Sequence, residues 1–77
     1  MPPVLNIAAY RFVPLHDLPA LLDRLRRSAE AAALKGTVLL APEGINLFLA
    51  GDAAAVRGWL AELRTDNRFA GLAAKES

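Results

Sequence analysis

The sixteen residues from Gly36 to Gly51, GTVLLAPEGINLFLAG, constrain this chain more than any other segment. They read as two apolar strands joined by a tight turn at Ala41-Pro42-Glu43-Gly44. Proline presets φ for the turn, and Gly44 is expected to supply its φ > 0 position. The run is too short to cross a membrane and too β-branched at its start for a good helix. A hairpin of this kind needs further strands or helices to cover one of its faces.

The flanking segments supply them. Val4 to Phe12 is nearly continuous in apolar residues, as a central strand covered on at least one face would be. Pro14 discourages a helix through Val13, so Val13 to His16 is a connector. Asp17 then reads as an N-cap, with Pro19 tolerated in the first turn of a helix that runs to about Ala33. Leu18, Leu21, Leu22, Leu25, Ala29 and Ala32 form its apolar stripe, with Asp23, Arg24, Arg27 and Glu30 on the other face. Gly36 is expected to close this helical region.

Beyond the hairpin, Gly51 and Asp52 break the strand, and Asp52 is a natural N-cap. Val56, Trp59, Leu60 and Leu63 are spaced for a second helix over about 53–64. Gly58 within it either permits close packing or is a neutral exposed glycine. After a loop at Thr65 to Asn67, Phe69 plugs the core and Leu72 to Lys75 starts a short last strand.

The order β-α-β-β-α-β predicts the ferredoxin-like, or split βαβ, fold of the α+β class. Its sheet is antiparallel, strands one and three are central, and both helices lie on one face. Period-2 alternation directs Leu5, Ile7, Ala9, Ile45, Leu47 and Leu49 toward the helices. It leaves Asn6, Ala8, Tyr10, Phe12, Asn46, Phe48 and Ala50 on the uncovered face. The expected core is Leu5, Ile7, Leu21, Leu22, Leu25, Ile45, Leu47, Val56, Leu60 and Leu63.

Composition narrows the chemistry. Residues 1–77 make one small domain, and at 77 residues folding buries roughly 60% of the unfolded chain's surface. A net charge of +1 makes no electrostatic case for nucleic acid by itself. The chain has no Cys, which excludes thiol nucleophiles and Cys-ligated zinc, and its single His16 builds no metal site alone. No signal peptide or membrane-crossing run is visible, so a cytoplasmic protein is expected. No catalytic residue, metal or cofactor is assigned to these residues.

The candidate functional residues lie on two kinds of surface. Tyr10 and Phe48, with Phe12, occupy central-strand positions where RNA-binding βαββαβ domains stack bases. The blander reading, preferred here, is that this face docks against another domain of the same protein. Arg11, Arg24 and Arg27 are the candidates for phosphate contact, with Arg26, Arg57, Arg64 and Arg68 in reserve. More often such residues form a solvated face with local partners, here Asp23 and Glu30. Glu43 at a hairpin tip has no partner to tune it for acid-base work. Asn46 is expected to hydrogen-bond local backbone. An acylphosphatase would need a glycine-rich anion cradle after strand one. The segment Arg11 to His16 holds no glycine, so that hydrolase reading is set aside.

The phrases NIAAYRFVPL (6–15), LKGTVLLAPEGIN (34–46), AG (50–51) and FAGLAAKES (69–77) together carry a resemblance. The chain resembles the N-terminal, acylphosphatase-like domain of the bacterial rhodanese-like proteins described as tRNA uridine hydroxylases. One departure is Leu47-Phe48-Leu49, where many relatives carry smaller or more polar residues. The resemblance implies a larger protein in which a rhodanese domain with the reactive Cys follows. It implies oxygen-dependent hydroxylation of the tRNA wobble uridine at carbon 5, a tRNA-processing oxidoreductase activity. For these residues it implies a supporting role: holding tRNA, positioning the rhodanese domain, or both. The end of the sequence inside an expected strand is read as an excised piece of a longer chain. The alternatives are an interdomain scaffold of a rhodanese-like sulfurtransferase without RNA contact, and a small acylphosphatase-like hydrolase. The expected partners are therefore the rhodanese domain of the same polypeptide and tRNA, with no membrane and weak self-association of the fragment.

Overall fold

The computed structural model describes residues 3–77. Strands β1 (Val4–Phe12), β2 (Lys35–Ala41), β3 (Gly44–Asp52) and β4 (Ala73–Glu76) form one sheet. Helices α1 (Leu18–Ala31) and α2 (Ala53–Leu63) connect them, with a single 3₁₀ turn at Asn67–Phe69. The strand order is β2-β3-β1-β4 and every neighbouring pair is antiparallel. This is the expected α+β, acylphosphatase-like βαββαβ architecture, with β1 and β3 central and a last strand of four residues.

The inward residues of the central strands, Leu5, Ile7, Ala9, Ile45, Leu47 and Leu49, are all buried. Leu21, Leu25 and Ala29 of α1 and Val56, Trp59, Leu60 and Leu63 of α2 close over them. Leu22 lies at the rim, half-buried, because the inward line of α1 follows the i, i+4, i+8 row through Leu21. Phe69 plugs the core as expected. Leu15, Leu34 and Leu72, outside the regular elements, are buried too and belong to the same core. Trp59 is buried with its indole N–H donating to Ser28 Oγ at 2.9 Å, and Ser28 donates in turn to the Leu25 carbonyl. That chain satisfies the polar edge of a large core ring.

Three glycine and capping assignments are corrected. Gly44 has no positive φ. The turn proper is Pro42-Glu43, and Gly44 is required because a Cβ there would run into the Arg11 carbonyl of β1. Gly36 does not close α1. It sits in β2 at φ +136°, where a Cβ would strike the Phe48 carbonyl. Helix α1 ends in a Schellman arrangement, Ala33 N–H to Glu30 O and Leu34 N–H to Ala29 O, with Ala33 itself at φ +58°. Asp17 holds the N-cap position, but its carboxylate makes no cap bond and turns to Arg68 instead. Asp52 caps α2 as expected, accepting from the Ala55 N–H.

Arg68 fastens the 3₁₀ turn to the start of α1. Its guanidinium lies 2.7 Å from both Asp17 and Asp66 and 5.5 Å from the centre of the Phe69 ring. Hydrogen bonds from Arg68 hold the Asp66 and Asp17 carboxyls below the ordinary aspartate range. The two carboxylates raise the Arg68 pKa in return.

Leu25→Ala removes a buried side chain from the middle of α1 and is expected to cost about 2–5 kcal/mol, read from the urea midpoint. Ala33→Gly relieves a left-handed alanine, and Gly58→Ala replaces a glycine whose added Cβ meets nothing within 4 Å. Each of these two exchanges is expected to stabilise by about 0.5–1 kcal/mol in the same assay, although they run in opposite directions. Because Asp17 and Asp66 have lowered pKa values when folded, their stabilisation is fully present above about pH 4 and is lost as pH falls through the folded values. Urea midpoints between pH 7 and pH 2 are expected to drop less steeply in Arg68→Ala than in the parent chain.

Candidate functional site

The pairing register decides what stands on the sheet face away from the helices. Leu39, Asn46, Tyr10 and Ala73 form one row across the four strands. Thr37, Phe48, Ala8 and Lys75 form the next, and Lys35, Ala50 and Asn6 the one after. Ala41, Gly44 and Phe12 complete the face at the turn end.

Among the described residues no helix covers this surface, and its large side chains are open: Tyr10 68%, Phe12 81%, Leu39 56% and Phe48 51% exposed. The Tyr10 and Phe12 rings meet edge to face, with centroids 5.9 Å apart at 67°. Tyr10 and Phe48 sit on a diagonal of the β1–β3 ladder, about 7–8 Å apart at the backbone. Ala8 between them is small, so both rings stand proud of the sheet. At the turn end an open groove of about 320 Å³ is lined by Tyr10, Phe12, Leu39, Glu43 and Asn46.

Asn46 does not bond local backbone. Its amide is exposed, and among the described residues it has no side-chain hydrogen bond. The charges on the face are Lys35 and Lys75 toward one end and Glu43 at the turn. Sequence reading did not single out Leu39, Lys35 or Lys75. The same period-2 alternation, extended from the central strands to the edges, would have found them.

The candidate arginines stand elsewhere. Arg11 follows Ala9 on the helix side of β1, and its Nε donates to the Arg68 carbonyl at 3.1 Å. Arg24 lies 3.7 Å from Asp66, and Arg27 lies 3.0 Å from Asp23, one turn earlier on α1. Tyr10 and Phe48 are thus brought together, whereas Arg11, Arg24 and Arg27 belong to the other layer. Arg57 pairs with Glu76, and Arg64 Nε donates to the Leu72 carbonyl. Among the described residues only Arg26, of the arginines, makes no ion pair or side-chain hydrogen bond.

The connector after β1 is also committed. The Val13 N–H donates to the Glu43 carbonyl and the Leu15 N–H to the Pro42 carbonyl, each at 2.9 Å. These two amides are spent on the hairpin turn instead of being offered to an anion. Among the described residues no group of three or more His, Cys, Asp or Glu could hold a metal ion, and no helix is long and apolar enough to cross a membrane.

Comparison with known proteins fits this architecture. The family model described as UPF0176 acylphosphatase like domain matches residues 4–77. A protein named tRNA uridine(34) hydroxylase from Delftia acidovorans is 58% identical over 77 residues, all of this chain and 29% of that protein. One of the same name from Variovorax paradoxus is 60% identical over the same span and share. Another from Bordetella avium is 55% identical over 74 residues, 96% of this chain and 31% of that protein. The chain therefore spans under a third of the length of these relatives. With the matched residues running from the first strand through the last, this chain belongs to the UPF0176 acylphosphatase-like domain family.

Proposed function

We propose that this chain is the N-terminal domain of a tRNA uridine(34) hydroxylase, an oxygen-dependent tRNA-modifying enzyme. In this reading residues 1–77 form one domain, and the open sheet face docks onto the rest of the same polypeptide, the rhodanese domain. The domain supports the enzyme by positioning that partner and by helping to hold tRNA, and the protein works in the cytoplasm with its substrate. The catalytic groups lie in the rest of the polypeptide, since this chain carries no thiol.

The observation that carries the reading is the open face itself. Tyr10, Phe12, Leu39 and Phe48 form one apolar surface on rigid strands, of the kind that stable proteins cover with a partner. Relatives named tRNA uridine(34) hydroxylase have more than twice this chain's length outside the matched segment, which supports a partner on the same polypeptide. Asn46 in the midst of the apolar residues calls for a hydrogen-bond partner on whatever covers it, because burial without one costs about 1–3 kcal/mol.

A second reading is favoured by the diagonal pair Tyr10 and Phe48 with Lys35 and Lys75 on the same face. Bases of a single-stranded tRNA segment stack on the two rings while the lysines meet phosphates. Arg11, Arg24 and Arg27 join in only by leaving partners they already hold, on the opposite layer. The hydrolase alternative is disfavoured by the committed amides of Val13 and Leu15.

Hydrogen exchange of β1 and β3, with chemical accessibility of Tyr10, tests the proposal in this chain and in the longer protein. Docking is expected to protect both strands' face and Tyr10 in the longer protein without RNA. Equal exposure of Tyr10 in the two proteins would refute docking. Protection of Tyr10 and Phe48 only on adding tRNA, weakening steeply with salt, would establish the stacking reading in its place.

A further inference from the structure

The sheet has two edges, and they are unequal. Strand β4 contributes four residues and β2 seven. Among the described residues, the outer side of β2 pairs with nothing. It contains no proline and one charge, Lys35, at its start. Long apolar edges without such blocking residues are templates for another strand.

The surroundings of this edge are shaped for a partner. Helix α1 leaves a groove of about 360 Å³ beside β2. Ala29, Leu34 and Val38 form its apolar floor, and Arg26 and Glu30 stand on its rim. Arg26 and Glu30 are one helical turn apart and exposed, and among the described residues neither has an ion-pair partner. Four of the other six arginines pair with carboxylates and the remaining two donate to backbone carbonyls, so this rim is an exception.

We propose that β2 pairs antiparallel with β2 of a second copy of this chain, about a two-fold axis at Val38. The register is self-complementary. Lys35 falls opposite Ala41 of the second copy and Thr37 opposite its Leu39, so no charge faces a like charge. Backbone groups of β2 that point away from β3 find partners across the axis, because antiparallel ladders alternate bonded positions. Arg26 and Glu30 both line the groove that Val38 floors, and in the proposed dimer Arg26 of each copy pairs with Glu30 of the other. An unpaired cation and an unpaired anion on one rim thereby become two reciprocal ion pairs. The product is an eight-stranded sheet with the helices of both copies on one side. Its edges are the two β4 strands. The open faces carrying Tyr10 and Phe48 remain free, so this association is independent of the docking described above.

Sedimentation of the 77-residue chain over a concentration series tests the pairing, with circular dichroism to confirm that each variant is folded. The expected result is a reversible dimer. Arg26→Glu and Glu30→Arg each turn two attractions into two repulsions and are expected to weaken it by about tenfold. The double variant carrying both exchanges restores the attraction and is expected to recover dimerisation. A dimer indifferent to both single reversals but abolished by Phe48→Ser would assign association to the open face and overturn the proposal. A chain that stays monomeric up to about 1 mM would overturn it as well.

Discussion

The ladder between β1 and β3 is the constraint on which the other layers depend. Nine residues of each strand pair without interruption, from Val4 with Asp52 to Phe12 with Gly44. In so regular a pairing the side chains alternate strictly, and a slip of one residue would exchange the two faces. Apart from Arg11 near the turn, the inward set is aliphatic and small enough for two helices to settle on it. The outward set carries the aromatic rings. One ladder therefore fixes both where the core is and which side chains stand on the open face.

The hairpin turn is tied into that ladder rather than hanging from it. Gly44 lets β3 start against the Arg11 carbonyl, closer than any side chain would allow. The carbonyls of Pro42 and Glu43 then accept from Leu15 and Val13, which seats the connector and brings buried Leu15 under the turn. The loop after β1 is thereby built into the framework. The rigidity this confers on the turn end of the sheet is what keeps Tyr10, Phe12, Leu39 and Asn46 in fixed relation around their groove.

Charge is used locally. Arg68 bridges Asp17 and Asp66, Arg24 adds to the same cluster, and Arg27 and Arg57 find acids on the surface. Seven arginines look like a phosphate-binding inventory in a sequence, yet most are already engaged within the fold. Among the described residues, the charges left open on these two surfaces are Lys35, Lys75 and Glu43 on the open face and Arg26 with Glu30 beside the β2 edge. The apolar face and the long β2 edge are therefore the larger uncommitted surfaces of the described residues, beside a net charge of only +1.

The residue order alone sets the element order, the sheet topology and the allocation of Tyr10 and Phe48 to the uncovered face. Those follow from local properties: periods of 2 and 3.6, proline and glycine punctuation, and the length of each run. It also held the separation of Arg11 from Tyr10, since neighbours on a strand point to opposite faces. Tertiary structure alone decided the rest. The need for glycine at 44 comes from a backbone approach between strands 33 residues apart in sequence, Arg11 and Gly44. The turning of Asp17 from its helix cap to Arg68 depends on a residue 51 positions away. Leu34 is buried and Asn46 left unpartnered because of what the sheet brings beside them. Each depends on distances between segments that the fold alone sets, and no local pattern encodes them.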